Sequence, residues 1–244
     1  MPFLLRYDLD RTRPRAGEAF KDLAVRALAP AFVLFLAILG FGKLLMGPLL
    51  GVRTAEAPLS KDIEQARTPL WNSITHVWST IGNTEYVIGL CLIVVALVWW
   101  RTKEWWYAVI PGIAIALQAS VFVAATELTG RPRPDVTKLD PAPPTSSFPS
   151  GHVGAATALY LTFALMAHRI TNPVLRRVVQ TICVIVPLLV AFGRFYRGMH
   201  SPVDITVGFL NGILCTVMAW LWLRRHERHR DDARTSRSEH AHSA

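Results

Sequence analysis

The chain has 244 residues, of which 52% are hydrophobic and only 18% charged, and its net charge is +9. Soluble domains carry about 25% charged residues, so this chain is short of polar surface, and its apolar content excludes a disordered chain. The cysteines Cys91, Cys183 and Cys215 lie inside apolar runs, which excludes a disulfide scaffold and a cysteine-based metal site.

Six apolar stretches follow one another along the chain, and each is a candidate membrane-spanning helix. A helix needs about 20 apolar residues to cross a hydrocarbon core of roughly 30 Å. The first, third and sixth stretches reach that length, and the others can extend through mildly polar flanks. We therefore predict an all-α polytopic membrane protein with six transmembrane helices. The stretches are residues 28–50, 86–100, 105–125, 153–167, 178–192 and 203–223.

The segments around these helices complete the predicted organisation. Residues 1–27 are too many and too mixed to precede a cleaved signal sequence, and we interpret them as a cytoplasmic segment before a helical domain over 28–225. Residues 226–244 are polar and aperiodic, which predicts a disordered cytoplasmic tail.

Residues 52–80 form an outside segment whose apolar residues recur at helical spacing, which predicts an amphipathic helix along the membrane surface. These apolar residues are Leu70, Ile74, Val77, Trp78 and Ile81.

Lysine and arginine are distributed unevenly between the two predicted sides of the membrane. If both termini are cytoplasmic, most basic residues lie on the cytoplasmic side, as the positive-inside rule requires. The basic charge is then a topology signal, and we do not predict a nucleic-acid partner. We predict a multi-pass plasma-membrane protein with both termini in the cytoplasm. The cytoplasmic basic residues are Arg6, Arg11, Arg13, Arg15, Lys21, Arg26, Arg101, Lys103, Arg169, Arg176, Arg177, Arg224, Arg225, Arg228, Arg230, Arg234 and Arg237.

Three polar clusters interrupt the apolar pattern, and the predicted topology places all of them on the outer face. They cover residues 130–135, 148–152 and 193–204. Ionisable groups at membrane depth are costly and therefore indicate function. The clusters supply planar guanidinium groups that suit phosphate oxygens, from Arg131, Arg133, Arg194 and Arg197.

The remaining polar residues of these clusters suit phosphoryl transfer. Ser150 and Gly151 precede a helix, whose free N–H groups and dipole favour an anion. His200 and Asp204 are four residues apart, a spacing that lets a carboxylate fix the tautomer of a nucleophilic or basic imidazole. His152 is a second imidazole, suited to proton transfer to a leaving group. We predict metal-free phosphoryl transfer without a cofactor.

These residues resemble the type 2 phosphatidic acid phosphatase (PAP2) superfamily of membrane lipid phosphatases, glucose-6-phosphatase and vanadium haloperoxidases. The family pattern is K-x6-R-P, then P-S-G-H, then S-R-x5-H-x3-D. The second part is intact at 149–152, and the third matches at Arg194, His200 and Asp204. The first matches at Arg133 and its following proline. The resemblance implies a helical bundle of the PAP2 and haloperoxidase type.

The resemblance also implies a role for each site residue. His200 is expected to form a phosphohistidine and Asp204 to orient it, while His152 protonates the leaving group and then activates water. Such a transition state needs positioning and charge stabilisation. The residues expected to hold the phosphoryl oxygens are Arg133, Arg194, Ser150 and the Gly151 amide.

Two positions depart from the family pattern. Thr126 stands at the lysine position, which removes a positive charge from the phosphate pocket, and Gly193 replaces the serine. We predict that Arg131 takes the place of the lysine because it lies two residues before Arg133. Lys138 is a weaker candidate for that place.

The sequence predicts an integral-membrane lipid phosphatase whose site faces the outer leaflet and whose partner is a lipid phosphate in the bilayer. Polyprenyl (undecaprenyl or decaprenyl) diphosphate is the first expected substrate, and phosphatidic acid and phosphatidylglycerol phosphate come next. Residues 143–152 resemble actinobacterial members of the family, which adds a prenyl-linked sugar phosphate. A phosphotransferase, a vanadate-dependent haloperoxidase and a non-catalytic lipid-binding protein are the alternatives, and the oligomeric state stays open.

Overall fold

The computed structural model describes residues 3–142 and 144–224, so the predicted tail 226–244 lies outside the described residues. All regular secondary structure in this part of the chain is helical. The α-helices are α1 (Arg6–Leu9), α2 (Ala16–Leu23), α3 (Ala29–Leu45), α4 (Gly51–Gln65), α5 (Pro69–Ile81), α6 (Thr84–Thr102), α7 (Trp105–Ala108), α8 (Ile110–Thr129), α9 (Gly151–Met166), α10 (Pro173–Tyr196) and α11 (Pro202–Leu221).

Five helical stretches within the described residues are long and apolar enough to cross a membrane. The predicted all-α membrane fold is therefore confirmed. These stretches are Ala16–Leu45, Thr84–Thr102, Trp105–Thr129, Pro173–Tyr196 and Pro202–Leu221.

The fourth predicted span is a helix, but it is short. Helix α9 has 16 residues, which is about 24 Å at 1.5 Å per residue and less than a hydrocarbon core. It packs against α8, α10 and α11, and half of its side chains are buried. The bundle thus encloses α9, and the count of six spans stays a prediction.

The first span begins earlier than the apolar run does. A π-helical turn, Ala24–Leu28, joins α2 to α3, so the helix is continuous from Ala16 to Leu45. The helix begins before the apolar stretch predicted from residue 28 because hydropathy marks only the apolar part of a helix, which can continue into polar sequence. Pro48, which has no N–H group, lies just beyond the helix end.

Residues 51–81 contain two helices, α4 and α5. The apolar residues predicted to form an amphipathic helix lie in α5, which packs against α10. Its apolar residues Leu70 and Val77 are exposed, whereas Thr75 and Ser79 are buried. Helix α5 therefore turns polar side chains towards the bundle and leaves apolar ones for the surroundings, as an interfacial helix requires. Helix α4 was not predicted because its sequence is polar and contains Pro58.

Glycines let α9 and α11 approach closely. A Cβ atom on Gly212 would lie 2.6 Å from the Gly154 carbonyl oxygen, and one on Gly208 would lie 2.7 Å from the Ser150 carbonyl oxygen. Only glycine allows backbone contact this close. This contact brings the first turn of α9 next to the first turn of α11, where the second and third polar clusters lie.

Candidate active site

The three polar clusters meet at one end of the bundle. The Ser147 N–H group donates to the Arg131 carbonyl oxygen over 2.8 Å, and the Ser150 N–H group donates to the Asp204 carbonyl oxygen over 3.0 Å. A cavity of about 700 Å³ opens beside these contacts. Five predicted site residues line it: Arg133, Gly151, His152, Arg194 and His200.

His200 is held in one tautomer at the floor of the cavity. Only 4% of the residue is exposed, and Nδ1 lies 2.8 Å from the Ser147 carbonyl oxygen. A carbonyl oxygen only accepts, so Nδ1 carries the proton and Nε2 keeps its lone pair. Burial and the positive charges of Arg194 and Arg133 lower the pKa of His200 well below its ordinary 6.5. The imidazole is therefore neutral at pH 7 and suited to nucleophilic attack.

Asp204 lies near His200 but does not form the predicted hydrogen bond with it. Its Oδ2 atom is 4.0 Å from His200 Nδ1, beyond hydrogen-bonding distance. Asp204 is the third residue of α11, so Oδ2 instead accepts from the Ser201 N–H group over 2.9 Å in a capping box. The other oxygen accepts from Arg131. The Ser147 carbonyl therefore holds the tautomer that we expected the carboxylate to hold.

His152 lies in the first turn of α9 and contacts a residue that sequence reasoning missed. Its Nε2 atom is 3.0 Å from Oδ1 of Asn83, the residue before α6. Gly82 makes room for this pair, since a Cβ there would lie 3.2 Å from the His152 Cβ. Asn83 orients the second imidazole, and no motif spacing could have revealed it.

Two arginines bring positive charge to the cavity. Arg194 Nη1 donates to Ser79 Oγ over 2.9 Å and to Asp140 Oδ2 over 3.0 Å. Arg133 Nη1 donates to the Met199 carbonyl oxygen over 2.8 Å. The Nε atom of each arginine is buried and has no hydrogen-bond partner among the described residues. These donors are available to an anion, which fits the predicted role of both arginines in phosphate binding.

Asp140 is a second residue that sequence reasoning left without a role. Its carboxylate accepts from Ser79, Arg194 and Arg197, and it lines the cavity. Burial raises the pKa of Asp140, but the hydrogen bond from Arg197 and the charges of both arginines outweigh it and bring the pKa below its ordinary value. Asp140 thus ties its loop to α10 as an ionised group.

Gly151 and Ser150 take different positions at the start of α9. A Cβ on Gly151 would lie 2.6 Å from Cζ of Phe122, so the aromatic ring of α8 requires glycine here. Ser150 is fully buried, and its Oγ atom has no partner among the described residues. Ser150 does not line the cavity, so its predicted contact with phosphate has no geometric support.

Arg131 does not occupy the place that we predicted for it. Its Nη1 atom donates to Ser201 Oγ over 2.6 Å and to Asp204, and its Nη2 atom donates to Glu56 Oε2 over 2.8 Å. Both ends of the guanidinium are thus bound to protein, and Arg131 does not line the cavity. The structure therefore contradicts the prediction that Arg131 takes the place of the missing lysine, because two carboxylates and a hydroxyl bind the guanidinium away from the cavity. Thr126 itself lines the cavity and is neutral.

One wall of the cavity is apolar and reaches the outside of the bundle. Ile115 and Phe122 of α8 and Val87 of α6 line it. Ile88 and Val123, on the same two helices, also line the cavity and are 46% and 52% exposed. The cavity therefore joins a polar end with two imidazoles and two guanidinium groups to an apolar side between α6 and α8.

An all-helical membrane bundle around such a cavity defines a membrane protein suited to phosphoryl chemistry. The sequence model of the PAP2 superfamily matches residues 105–228, just over half of the chain. The chain belongs to the PAP2 superfamily. It is a membrane lipid phosphatase of this family, a phosphoric monoester hydrolase, and the predicted family and enzyme class are confirmed.

Individual relatives agree with this assignment. The phosphatidylglycerophosphatase B of Bacillus subtilis (strain 168) is 26% identical over 165 residues, which are 67% of this chain and 80% of that protein. The crystal structure of a transmembrane PAP2 type phosphatidylglycerolphosphate phosphatase from Bacillus subtilis matches with a TM-score of 0.67 at 24% identity, over 78% of this chain and 92% of that one. The crystal structure of Aquifex aeolicus LpxE matches with a TM-score of 0.55 at 24% identity, over 68% of this chain and 94% of that one. Both structures share the fold.

Proposed function

We propose that this phosphatase hydrolyses the phosphate monoester of a glycerophospholipid, with phosphatidylglycerol phosphate as the first candidate and phosphatidic acid as the second. The shape of the cavity carries this proposal. Its polar end fits a phosphoryl group, and its apolar side between α6 and α8 fits acyl chains that stay in the bilayer. Ile88 and Val123 are exposed where such chains would leave the protein.

The side chains around the cavity support a two-step reaction. Nε2 of His200 attacks phosphorus while the bond to the lipid oxygen breaks, and protonated His152 gives its proton to that oxygen. Water then attacks the phosphohistidine, His152 accepts the proton of the water, and inorganic phosphate leaves with His200 restored. Arg133 and Arg194 stabilise the charge on the equatorial oxygens in both steps.

Charge at the cavity favours a monoester over the polyprenyl diphosphate that the sequence first suggested. Glu85, Glu127 and Asp140 line the cavity, and Thr126 stands where the family pattern has lysine. A diphosphate would place a second anionic phosphate beside the one being hydrolysed, close to these carboxylates. The names of the Bacillus subtilis relatives also support phosphatidylglycerol phosphate.

The proposal is tested by phosphate release from purified protein in detergent and EDTA. The substrates are phosphatidylglycerol phosphate, phosphatidic acid, polyprenyl diphosphate and a soluble phosphate ester, and His200→Ala is the control. We expect the two glycerophospholipids to be hydrolysed fastest and the control to be inactive. Faster hydrolysis of polyprenyl diphosphate would overturn the substrate proposal. Transfer of phosphate to an added lipid or sugar acceptor, in place of its release, would identify a phosphotransferase.

A further inference from the structure

We propose that Arg131 is a positioning residue for His200 and that Glu56, on the outer helix α4, holds Arg131 in place. This inference rests on the proposed role of His200 as the nucleophile. It replaces the phosphate-binding role that the sequence suggested for Arg131, and it connects the segment outside the bundle to the reacting imidazole.

The side chain of Arg131 fixes the chain segment that follows His200. It donates to Ser201 Oγ over 2.6 Å and to the Asp204 carboxylate, which are the N-cap and the third residue of α11, the helix that directly follows His200. Arg131 is only 3% exposed and Asp204 is fully buried. A charged hydrogen bond in such a site is strong, and removing one partner leaves the other charge buried and unpaired.

The backbone of Arg131 fixes the segment whose carbonyl oxygen contacts the His200 imidazole. Its carbonyl oxygen accepts from the Ser147 N–H group over 2.8 Å, and its own N–H group donates to Ser146 Oγ over 2.9 Å. The carbonyl oxygen of Ser147 in turn accepts from His200 Nδ1 over 2.8 Å. Arg131 therefore contacts both the residue that fixes the tautomer of His200 and the helix turn that fixes its backbone.

Glu56 completes the arrangement from α4. Its Oε2 atom accepts from Arg131 over 2.8 Å, and its Oε1 atom accepts from the Val203 N–H group over 2.7 Å. Val203 lies in the first turn of α11, where free N–H groups and the helix dipole favour a carboxylate. Glu56 thus fixes both Arg131 and the start of α11, and it does so without lining the cavity.

A positioning role predicts a specific kinetic pattern. A small displacement of His200 slows attack on phosphorus but leaves Arg133 and Arg194 free to bind the phosphoryl group. Loss of Arg131 or Glu56 should therefore lower kcat and leave KM and competitive inhibition by inorganic phosphate nearly unchanged. Loss of a phosphate ligand should instead weaken the binding of inorganic phosphate.

The test compares Arg131→Gln, Glu56→Gln and the double variant in the purified full chain, with a soluble phosphate ester as substrate. We expect kcat to fall by about tenfold or more in Arg131→Gln, with KM and the inhibition constant of inorganic phosphate within about threefold of wild type. Glu56→Gln should show a smaller loss of kcat. The kcat of the double variant should be no lower than that of Arg131→Gln, because both residues act through one contact.

Two matched variants give the test its controls. Arg53→Gln removes an exposed arginine of the same helix α4 and should leave kcat unchanged. Arg133→Gln removes a cavity arginine and should weaken inhibition by inorganic phosphate by about tenfold.

An Arg131→Gln variant that weakens inhibition by inorganic phosphate as Arg133→Gln does, with nearly normal kcat, would overturn the inference. The inference would also be overturned if the fold-loss of kcat in the double variant equals the product of the fold-losses in the two single variants. If Arg131→Gln does not fold, Glu56→Gln provides the test. A lower kcat with an unchanged KM supports the inference, and an unchanged kcat overturns it. The soluble ester keeps this test independent of lipid identity, and an active His200→Ala variant would refute the proposed nucleophile itself.

Discussion

Burial and neighbouring charge determine how His200 responds to pH. The imidazole contacts a carbonyl oxygen through Nδ1, and Arg194 and Arg133 are the positive charges that oppose its protonation. A protonated imidazole has no lone pair at Nε2, so the proposed nucleophile is lost only when pH falls through the lowered pKa of His200.

We expect the acidic limb of kcat/KM that belongs to His200 to lie well below pH 6.5. Arg133→Gln removes one of the opposing positive charges, so its limb should move to higher pH. The measurement is a pH profile with a phosphate ester whose own ionisation is determined separately, because phosphate monoesters titrate near pH 6. An acidic decline of kcat/KM centred at or above pH 6.5 in the wild type would contradict this explanation. So would an acidic decline at the same pH in Arg133→Gln and in the wild type.

At the level of single residues, motif spacing predicted residues that meet at one cavity but not the groups that hold them. His152, His200, Arg133 and Arg194 have fixed spacing within motifs, and the structure brings all four to one cavity. The groups that orient them, among them Asn83 and Glu56, come from elements far away in sequence. No local pattern marks such a partner, because tertiary contact alone creates it.

The contact between α8 and α9 places the first turn of α9. Phe122 of α8 fills the space beside Gly151, and any Cβ there would meet its ring at 2.6 to 2.9 Å. His152 is the next residue, so a shift of this turn moves the imidazole. Overpacking a site of this kind costs about 1–3 kcal/mol.

We expect Gly151→Ala to lower kcat by about tenfold and to lower thermal stability, and Phe122→Ala in the same chain to restore part of the activity. Gly112→Ala is the matched control, because Gly112 lies in the same helix as Phe122 and has open space around it. The measurement is kcat together with the melting temperature in detergent. Full activity in Gly151→Ala, or no recovery in the double variant, would show that the ring does not constrain this turn.

Helix boundaries show what apolar patterning can predict about elements. Helices α6, α8, α10 and α11 are long and apolar, and each overlaps a predicted stretch. The polar helix α4 and the early start of the first span lie where interfacial residues continue a helix without apolar side chains. Helix α9 is short because the bundle encloses it, a fact that hydropathy alone does not encode.

The direction of each helix gives the molecule two chemically different ends. The cavity lies where α8 ends and where α9 and α11 begin. At the opposite end, Arg169 donates to Asp8 and Glu104, and Tyr7 donates to the Trp220 carbonyl oxygen. We propose that the cavity end is extracytoplasmic, because the predicted cytoplasmic segments carry most of the basic residues.

Cysteine labelling in intact cells tests this orientation. Lys138→Cys places a thiol in the exposed loop at the cavity end, and Lys103→Cys places one in the exposed turn after α6. The native cysteines Cys91, Cys183 and Cys215 are buried and give a low background. We expect a membrane-impermeant maleimide to label only Lys138→Cys until the cells are opened. Labelling of Lys103→Cys in intact cells would reverse the proposed orientation.

For the whole molecule, the sequence could predict the family and the helical class, but not the lipid. Motif spacing over residues 126–204 indicates the family, and the PAP2 match confirms it. We propose that substrate choice depends on the cavity wall between α6 and α8 and on carboxylates such as Glu127, whose arrangement exists only in the folded chain.

Trapping of the phosphoenzyme tests the central claim most directly. The enzyme is mixed with a substrate labelled with ³²P in the scissile phosphate, quenched in alkali within the first turnover and mapped by mass spectrometry. Phosphate on His200, absent from His200→Ala, is the predicted result. Phosphate on another residue, or hydrolysis at the wild-type rate by His200→Ala, would contradict the assignment of His200 as the nucleophile.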